Sequence, residues 1–154
     1  MIAAQPRHLI AGEGKSYTLG RITLIFNTTA ADTVGAYTLC EAIEPPDSGA
    51  RLHRHATYDE THIVCAGRYA CQLGDRMIEL GPRDMMLVPR GIPHSIKSVG
   101  PETGCELIIS SPTRIFDAFI HEVVASMTES GSPSNPGAAT DFRAIAGKCG
   151  IEFL

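Results

Sequence analysis

The chain has 154 residues, 44% of them hydrophobic and 19% charged, and a formal net charge of −4. That length and balance describe one globular domain large enough to bury a core. The acidic balance, with no basic cluster longer than RLHR, excludes a phosphate-binding surface, so no nucleic acid partner is expected.

In chain order, MIAAQPRHLIAGEG lacks a charged segment followed by an apolar one, and no apolar run approaches the ~18 residues of a membrane span. A cytoplasmic protein with no membrane partner is expected. RITLIFNT (21–28) and GAYTLCEAI (35–43) are rich in β-branched and aromatic residues and flank a turn-forming TAADT. Further strands are expected at 51–56, 60–67, 68–75, 76–80, 84–89, 94–99 and 105–111, with Gly, Pro and Asp at the joints. Short strands at this spacing predict an all-β sandwich or barrel over about 20–111. After Pro112 the period changes. TRIFDAFIHEVVASM carries apolar residues at 115, 116, 119, 120, 123 and 124, a helical stripe expected over about 112–127. A Ser/Pro/Gly linker (129–140) and a short helix (141–149) opening on Asp141 complete the single domain.

One stretch carries chemistry. GARLHRHATYDETHIVCAG (49–67) places His53 and His55 two apart on an expected strand, where side chains i and i+2 share a face about 6.6 Å apart. Glu60 on the next strand and His94 in PRGIPHS complete three nitrogens and one oxygen. Octahedral coordination by this set leaves two positions open for water, substrate or dioxygen. Asp59 is the alternative carboxylate, but its parity points it outward. His62 shares the parity of Glu60 and is expected inward, one pair of residues deeper. Tyr37, Tyr69 and Cys71 are possible cavity-lining residues, with core packing the competing reading. The five cysteines are odd in number and show no C-x2-C spacing, so reduced thiols are expected.

These residues resemble the two signatures of the cupin superfamily. The first, Gly-x5-His-x-His-x3/4-Glu-x6-Gly, is matched from Gly49 to Gly67, except that three residues rather than five separate Gly49 from His53. The second is matched by Asp84-x4-Pro89-x-Gly91-x2-His94, with Arg83 in place of the opening Gly and Ser98 in place of the closing Asn. The flanking pieces VGAYTLCEAIEPPDSGARLHRH, SPTRIFDAFIHEV and FRAIAGKCGIEFL look like the quercetinase-like branch of small single-domain cupins. The resemblance implies a double-stranded β-helix, or jelly-roll barrel, with C-terminal α-helices. It also implies one divalent transition metal (Fe, Mn, Ni, Co, Cu or Zn) held by His53, His55, Glu60 and His94. Affinity order alone favours copper and zinc, so geometry and supply in the cell decide among them. A dioxygenase-like reaction follows on a small enolic or phenolic substrate, with Glu60 as the catalytic proton acceptor. The alternatives are a metal-dependent isomerase, cyclase or lyase, and a non-catalytic small-molecule-binding cupin. Ile22, Leu24, Phe26, Tyr37 and Leu39 leave more apolar surface than one inner sheet face uses, and the resemblance implies a homodimer that buries it. The competing reading is that the helix at 112–127 folds back over that face.

Overall fold

The computed structural model describes residues 4–112, 115–129 and 142–154. The strands are β1 (Lys15–Leu19), β2 (Ile22–Thr28), β3 (Thr38–Glu44), β4 (Gly49–His55), β5 (Asp59–Ala66), β6 (Arg68–Leu73), β7 (Arg76–Leu80), β8 (Met85–Val88), β9 (His94–Val99), β10 (Gly104–Ser111) and β11 (Ile151–Phe153). Two helices, α1 (Phe116–Glu129) and α2 (Phe142–Lys148), precede β11. The strands form a six-stranded sheet, β1-β2-β3-β10-β5-β8, and a five-stranded sheet, β11-β4-β9-β6-β7. Every pairing is antiparallel. The two face each other as the double-stranded β-helix expected from the alternating strands.

Burial alternates along each central strand. In β10, Gly104, Glu106, Ile108 and Ser110 are buried and the residues between them are not. The same period in β3 buries Thr38, Cys40, Ala42 and Glu44. Two apolar clusters fill the interior. One joins Leu24, Phe26 and Ile108 to Phe119, Ile120 and Val123 of α1 and Ile145 of α2. The other packs Val64, Tyr69, Cys71, Met86 and Ile96 between the sheets.

Several boundaries depart from expectation. β1 was not among the expected strands, yet it pairs with β2 through a two-residue connection, Gly20–Arg21, with Leu19 opposite Ile22. Gly20 takes φ 60°, the backbone such hairpins demand, and that Gly-x step was the available signal. β11 was expected as tail. It pairs with β4, placing Phe153 opposite His53. Helix α1 starts four residues later than expected. The linker expected at 129–140 and the cap at Asp141 lie, apart from Glu129, outside the described residues.

The apolar surface on β2 is also resolved differently. Leu24 and Phe26 are buried in the cluster that α1 closes, with the Phe26 and Phe116 rings 5.6 Å apart. The helix therefore covers that face within one chain. Tyr37 and Leu39 stay outside it, on the other face of the sheet. No helix among the described residues is long and apolar enough to cross a membrane.

Candidate metal centre

Three of the four expected ligands come from the five-stranded sheet. His53 and His55 lie on β4, and His94 opens β9 directly opposite His53. Between Ala50 and His53 the β4–β9 register slips, so β4 carries an extra residue there. Such a bulge re-phases the strand, a device common beside functional sites. Gly49 precedes it at φ 146°, and a Cβ there would run into the carbonyl oxygen of Ile96. The first glycine of the motif is thus demanded by close strand approach. Glu60 crosses from β5 of the opposite sheet.

The four residues are buried, and their ligand atoms all lie within 4.8 Å of one another. Ring centroids are 4.2 Å apart for His53–His94 and 4.8 Å for His53–His55 and His55–His94. His53 Nδ1 lies 2.6 Å from Arg51 O, and His94 Nδ1 lies 3.0 Å from Ile92 O. A carbonyl only accepts, so each Nδ1 carries the proton and each Nε2 offers its lone pair inward. His94 Nε2 is buried with no hydrogen-bond partner. Glu60 Oε2 sits 3.3 Å from His62 Nε2, 3.4 Å from His94 Nε2 and 3.7 Å from His55 Nε2. Ser110 Oγ donates to Glu60 Oε1 at 3.1 Å.

Burial pushes His53 down to about 4, with the neighbouring His94 adding to the effect. His55 falls to about 4 for the same first reason, against the pull of Glu60. Both are neutral imidazoles at neutral pH. Burial opposes the charge on Glu60, but the electrostatic pull of His55 and His62 outweighs it and holds the carboxyl well below its usual range. Two oriented neutral imidazoles, a third with an orphaned inward nitrogen and one ionised carboxylate fit a divalent transition metal.

The other expected residues divide. Asp59 points outward, where Arg90 Nε, Nη2 and backbone N all donate to it, and these bonds lower it to about 2. It takes no place in the cluster. His62 lies inward, lines the cavity, and bridges Glu60 to Glu106 Oε2, 2.9 Å from its Nδ1. Burial opposes its charge, but Glu106 and Glu60 win and raise it well above the usual range. Tyr37 is corrected. It precedes β3 on the outward parity and is 40% exposed, outside the cavity that His62 lines. Tyr69 and Cys71 do point inward but are enclosed in the cluster around Val64 and Ile96, away from the cavity wall. Burial raises the Cys71 thiol to about 12, so it is an inert core residue.

Three residues of the site were not foreseen. Tyr58 is fully buried and stacks on His55 at 4.3 Å. Glu44 and Glu106 are buried carboxyls on the inner face of the six-stranded sheet. Their signal was a Glu of inward parity within an otherwise apolar strand. The cavity beside the cluster has a volume of about 190 Å³. Leu24, Phe116, Phe119, Phe142 and Phe153 form much of its wall, and among the described residues Arg51 is the only Lys or Arg lining it. Phe153 of β11 stacks on His53 at 5.3 Å, so the C-terminal strand closes the cavity against the ligand set.

Residues 41–110 match the family described as Cupin domain. An uncharacterized protein of Methanocaldococcus jannaschii is 34% identical over 62 residues, 40% of this chain and 50% of that protein. One of Archaeoglobus fulgidus is 37% identical over 59 residues, 38% and 55% respectively. The chain thus spans about half the length of the curated relatives it matches. Among solved structures, KdgF from Halomonas sp. superposes with a TM-score of 0.61 at 17% identity, covering 68% of this chain and 94% of that one. A predicted oxalate decarboxylase from Thermotoga maritima gives 0.64 at 16%, covering 70% and 100%. The polyketide cyclase RemF from Streptomyces resistomycificus gives 0.59 at 23%, covering 70% and 80%. At these identities the structures establish the fold, which is the cupin double-stranded β-helix.

Proposed function

We propose that the chain is a metal-dependent cupin enzyme, dioxygenase-like, acting on a small enolic or phenolic compound in the cavity beside His53, His55, Glu60 and His94. The observation that carries this reading is the set of four convergent buried ligand atoms within 4.8 Å, opening onto an apolar cavity. A divalent transition metal, when bound there, supplies Lewis acidity toward a chelating enol or phenol and a route for electrons to dioxygen.

The chain's own residues supply the rest. Arg51 O and Ile92 O fix the two imidazoles that need orienting. The aromatic wall excludes water from the reacting end of the substrate, which strengthens each polar contact made there. Glu60 Oε2 is the nearest carboxylate oxygen to the cluster and takes the substrate hydroxyl proton. His62, held between Glu60 and Glu106, keeps Glu60 aimed inward. Asp59 has no part in this.

The cavity volume favours a compact substrate. Drug-sized ligands occupy pockets of about 300 Å³ or more, and this one is about 190 Å³. One- or two-ring compounds suit it better than a flavonol, which weakens the link to the quercetinase-like branch. A metal-dependent cyclase, isomerase or lyase is the second reading, supported by the fold shared with a polyketide cyclase. Metal analysis of protein purified without a His-tag column, followed by oxygen uptake on catechols and enediols, separates the readings. Metal with oxygen uptake is expected. Metal with substrate turnover but no oxygen uptake moves the assignment to the second reading. Absence of metal after reconstitution overturns both.

A further inference from the structure

Two carboxyls line the cavity without joining the four-residue cluster. Glu44 ends β3 and is 3% exposed, and Glu106 lies on β10 with no exposure. Carboxylates are almost never so deeply buried without partners, because an unpaired one forfeits its hydration. Glu106 Oε2 is engaged by His62 Nδ1 at 2.9 Å, but Glu106 Oε1 and Glu44 Oε2 have no hydrogen-bond partner among the described residues. Both residues face the same cavity as the histidine cluster.

Register sets where they lie. On β10, Ser110 is opposite Glu60, Ile108 is opposite His62, and Glu106 comes next along the same face. Gly104, one further inward position along, is opposite Glu44. Ser110 and Glu106 are therefore about 13 Å apart along the strand at the usual rise. His62 joins the two ends of this row, its Nε2 3.3 Å from Glu60 Oε2 and its Nδ1 2.9 Å from Glu106 Oε2, so Glu44 and Glu106 stand at the end far from the four-residue cluster. We propose that Glu44 and Glu106 form a recognition pole for a hydroxyl group at the far end of the ligand whose near end meets the His53, His55, Glu60 and His94 cluster. This rests on the reading that the cavity takes a metal-chelating compound.

The chemistry selects a hydroxyl over a charged group. Two carboxyls side by side offer no favourable charge partner to a carboxylate or phosphate placed between them. Burial, with the charge of Glu106, raises Glu44 to about 8, so at neutral pH one of the two oxygens donates while the other accepts. An alcohol or phenol does both in return, whereas an ammonium only donates. Tyr69, whose phenol interacts with Glu44, and Ser98 Oγ, which has no hydrogen-bond partner among the described residues, stand near this end of the barrel. Tyr69 sits so close to Gly104 that a Cβ there would collide with its phenol oxygen, with Ser98 Oγ 3.1 Å away. The bland alternative is a structural knot of polar groups bridged by ordered water.

Calorimetric titration of the zinc-loaded full chain with four catechols of one size decides the matter: 4-ethylcatechol, 4-(2-hydroxyethyl)catechol, dopamine and 3,4-dihydroxyphenylacetate. The hydroxyethyl compound is expected to bind about tenfold more tightly than 4-ethylcatechol, the scale of one hydrogen bond to a charged group. In Glu44→Gln, checked for retained zinc and a cooperative melt, that ratio is expected to shrink severalfold. Equal binding of the two by the natural chain overturns the pole and leaves the carboxyls as a structural knot, while the metal reading stands. Tightest binding by dopamine overturns the hydroxyl assignment. Failure of all four to bind overturns the chelation reading, and the pole falls with it.

Discussion

The five-stranded sheet delivers His53, His55 and His94 to one end of the cavity, two of them pressed down to about 4. The six-stranded sheet delivers Glu60, His62, Glu106 and Glu44 in a row that runs the length of the barrel. Each imidazole of the first group has its own backbone or stacking support, so it can be understood alone. Members of the second group hold each other: Glu60 is aimed by His62, His62 is held by Glu106, and Glu44 is kept protonated in part by Glu106. The contrast is between a set of ligands and a coupled network, and the two should break differently.

The largest effect is expected on the imidazole side. His55→Ala removes one of four ligands and should strip most of the metal, read as metal per protein by elemental analysis. Full occupancy in that variant would mean that the four residues do not act as one site. The fold should survive, because the cavity left behind faces space that is already open.

On the network side the loss should appear as stability. Glu106→Gln leaves His62 buried beside a weaker partner, and breaking a buried charged pair costs about 3–5 kcal/mol. For a chain of this size that corresponds to a melting temperature lower by on the order of 10 °C. A shift below a couple of degrees would show that His62 is neutral in the folded protein and that the coupling is weak.

The two regions also predict opposite responses to pH in the metal-free protein. His53 and His55 fall from an ordinary 6.5 to about 4, so between those values the unfolded chain holds more protons. Stability therefore drops as pH falls through that window. Glu44 rises from 4.5 to about 8, so there the folded chain holds the extra proton, and stability drops as pH climbs toward 8. Denaturant melts from pH 4 to pH 9 should show a maximum between the limbs. Glu44→Gln should make the alkaline limb shallower and leave the acid limb unchanged, the remaining slope belonging to His62, whose raised value also costs stability as pH climbs. An unchanged alkaline limb in that variant would remove Glu44 as its cause.

The same contrast explains what the sequence made legible. His53, His55 and Glu60 fall within one short stretch, and local spacing plus strand parity was enough to bring them to one face. Glu44 and Glu106 meet only because β3 and β10 are neighbours in the sheet, which no local period reveals. The bulge between Ala50 and His53 has no signature in RLHRHA either, since an extra residue there leaves the His-x-His spacing untouched. Tyr37 went wrong for a similar reason. Strand β3 starts three residues later than expected, after the left-handed turn at Val34 and Gly35, and that outward-phased residue lies before it. The barrel itself was readable throughout, because alternation is local. The strands at the two ends were not: β1 is short, and β11 is three residues whose pairing depends on the far end of the chain.

The smallest expected effect on stability concerns the outside of the six-stranded sheet. Once α1 has covered Leu24 and Phe26, the outward parity of the same sheet still carries Leu39 on β3, Ile63 on β5, Leu107 and Ile109 on β10, and Met85 and Leu87 on β8. Met85 is 57% and Leu87 53% exposed. A contiguous face of this kind marks an association surface. We propose that a second copy covers it, by a two-fold arrangement in which the same strands meet themselves. Leu87→Lys places a charge on that face without touching the interior, so it should change the stability of the single chain by no more than about 0.5 kcal/mol. Light scattering on the unaltered chain should give about twice 16.5 kDa, and on the variant about half that value. A monomer for the unaltered protein at micromolar concentration ends the proposal. A dimer that survives both Leu87→Lys and Met85→Lys moves the interface elsewhere.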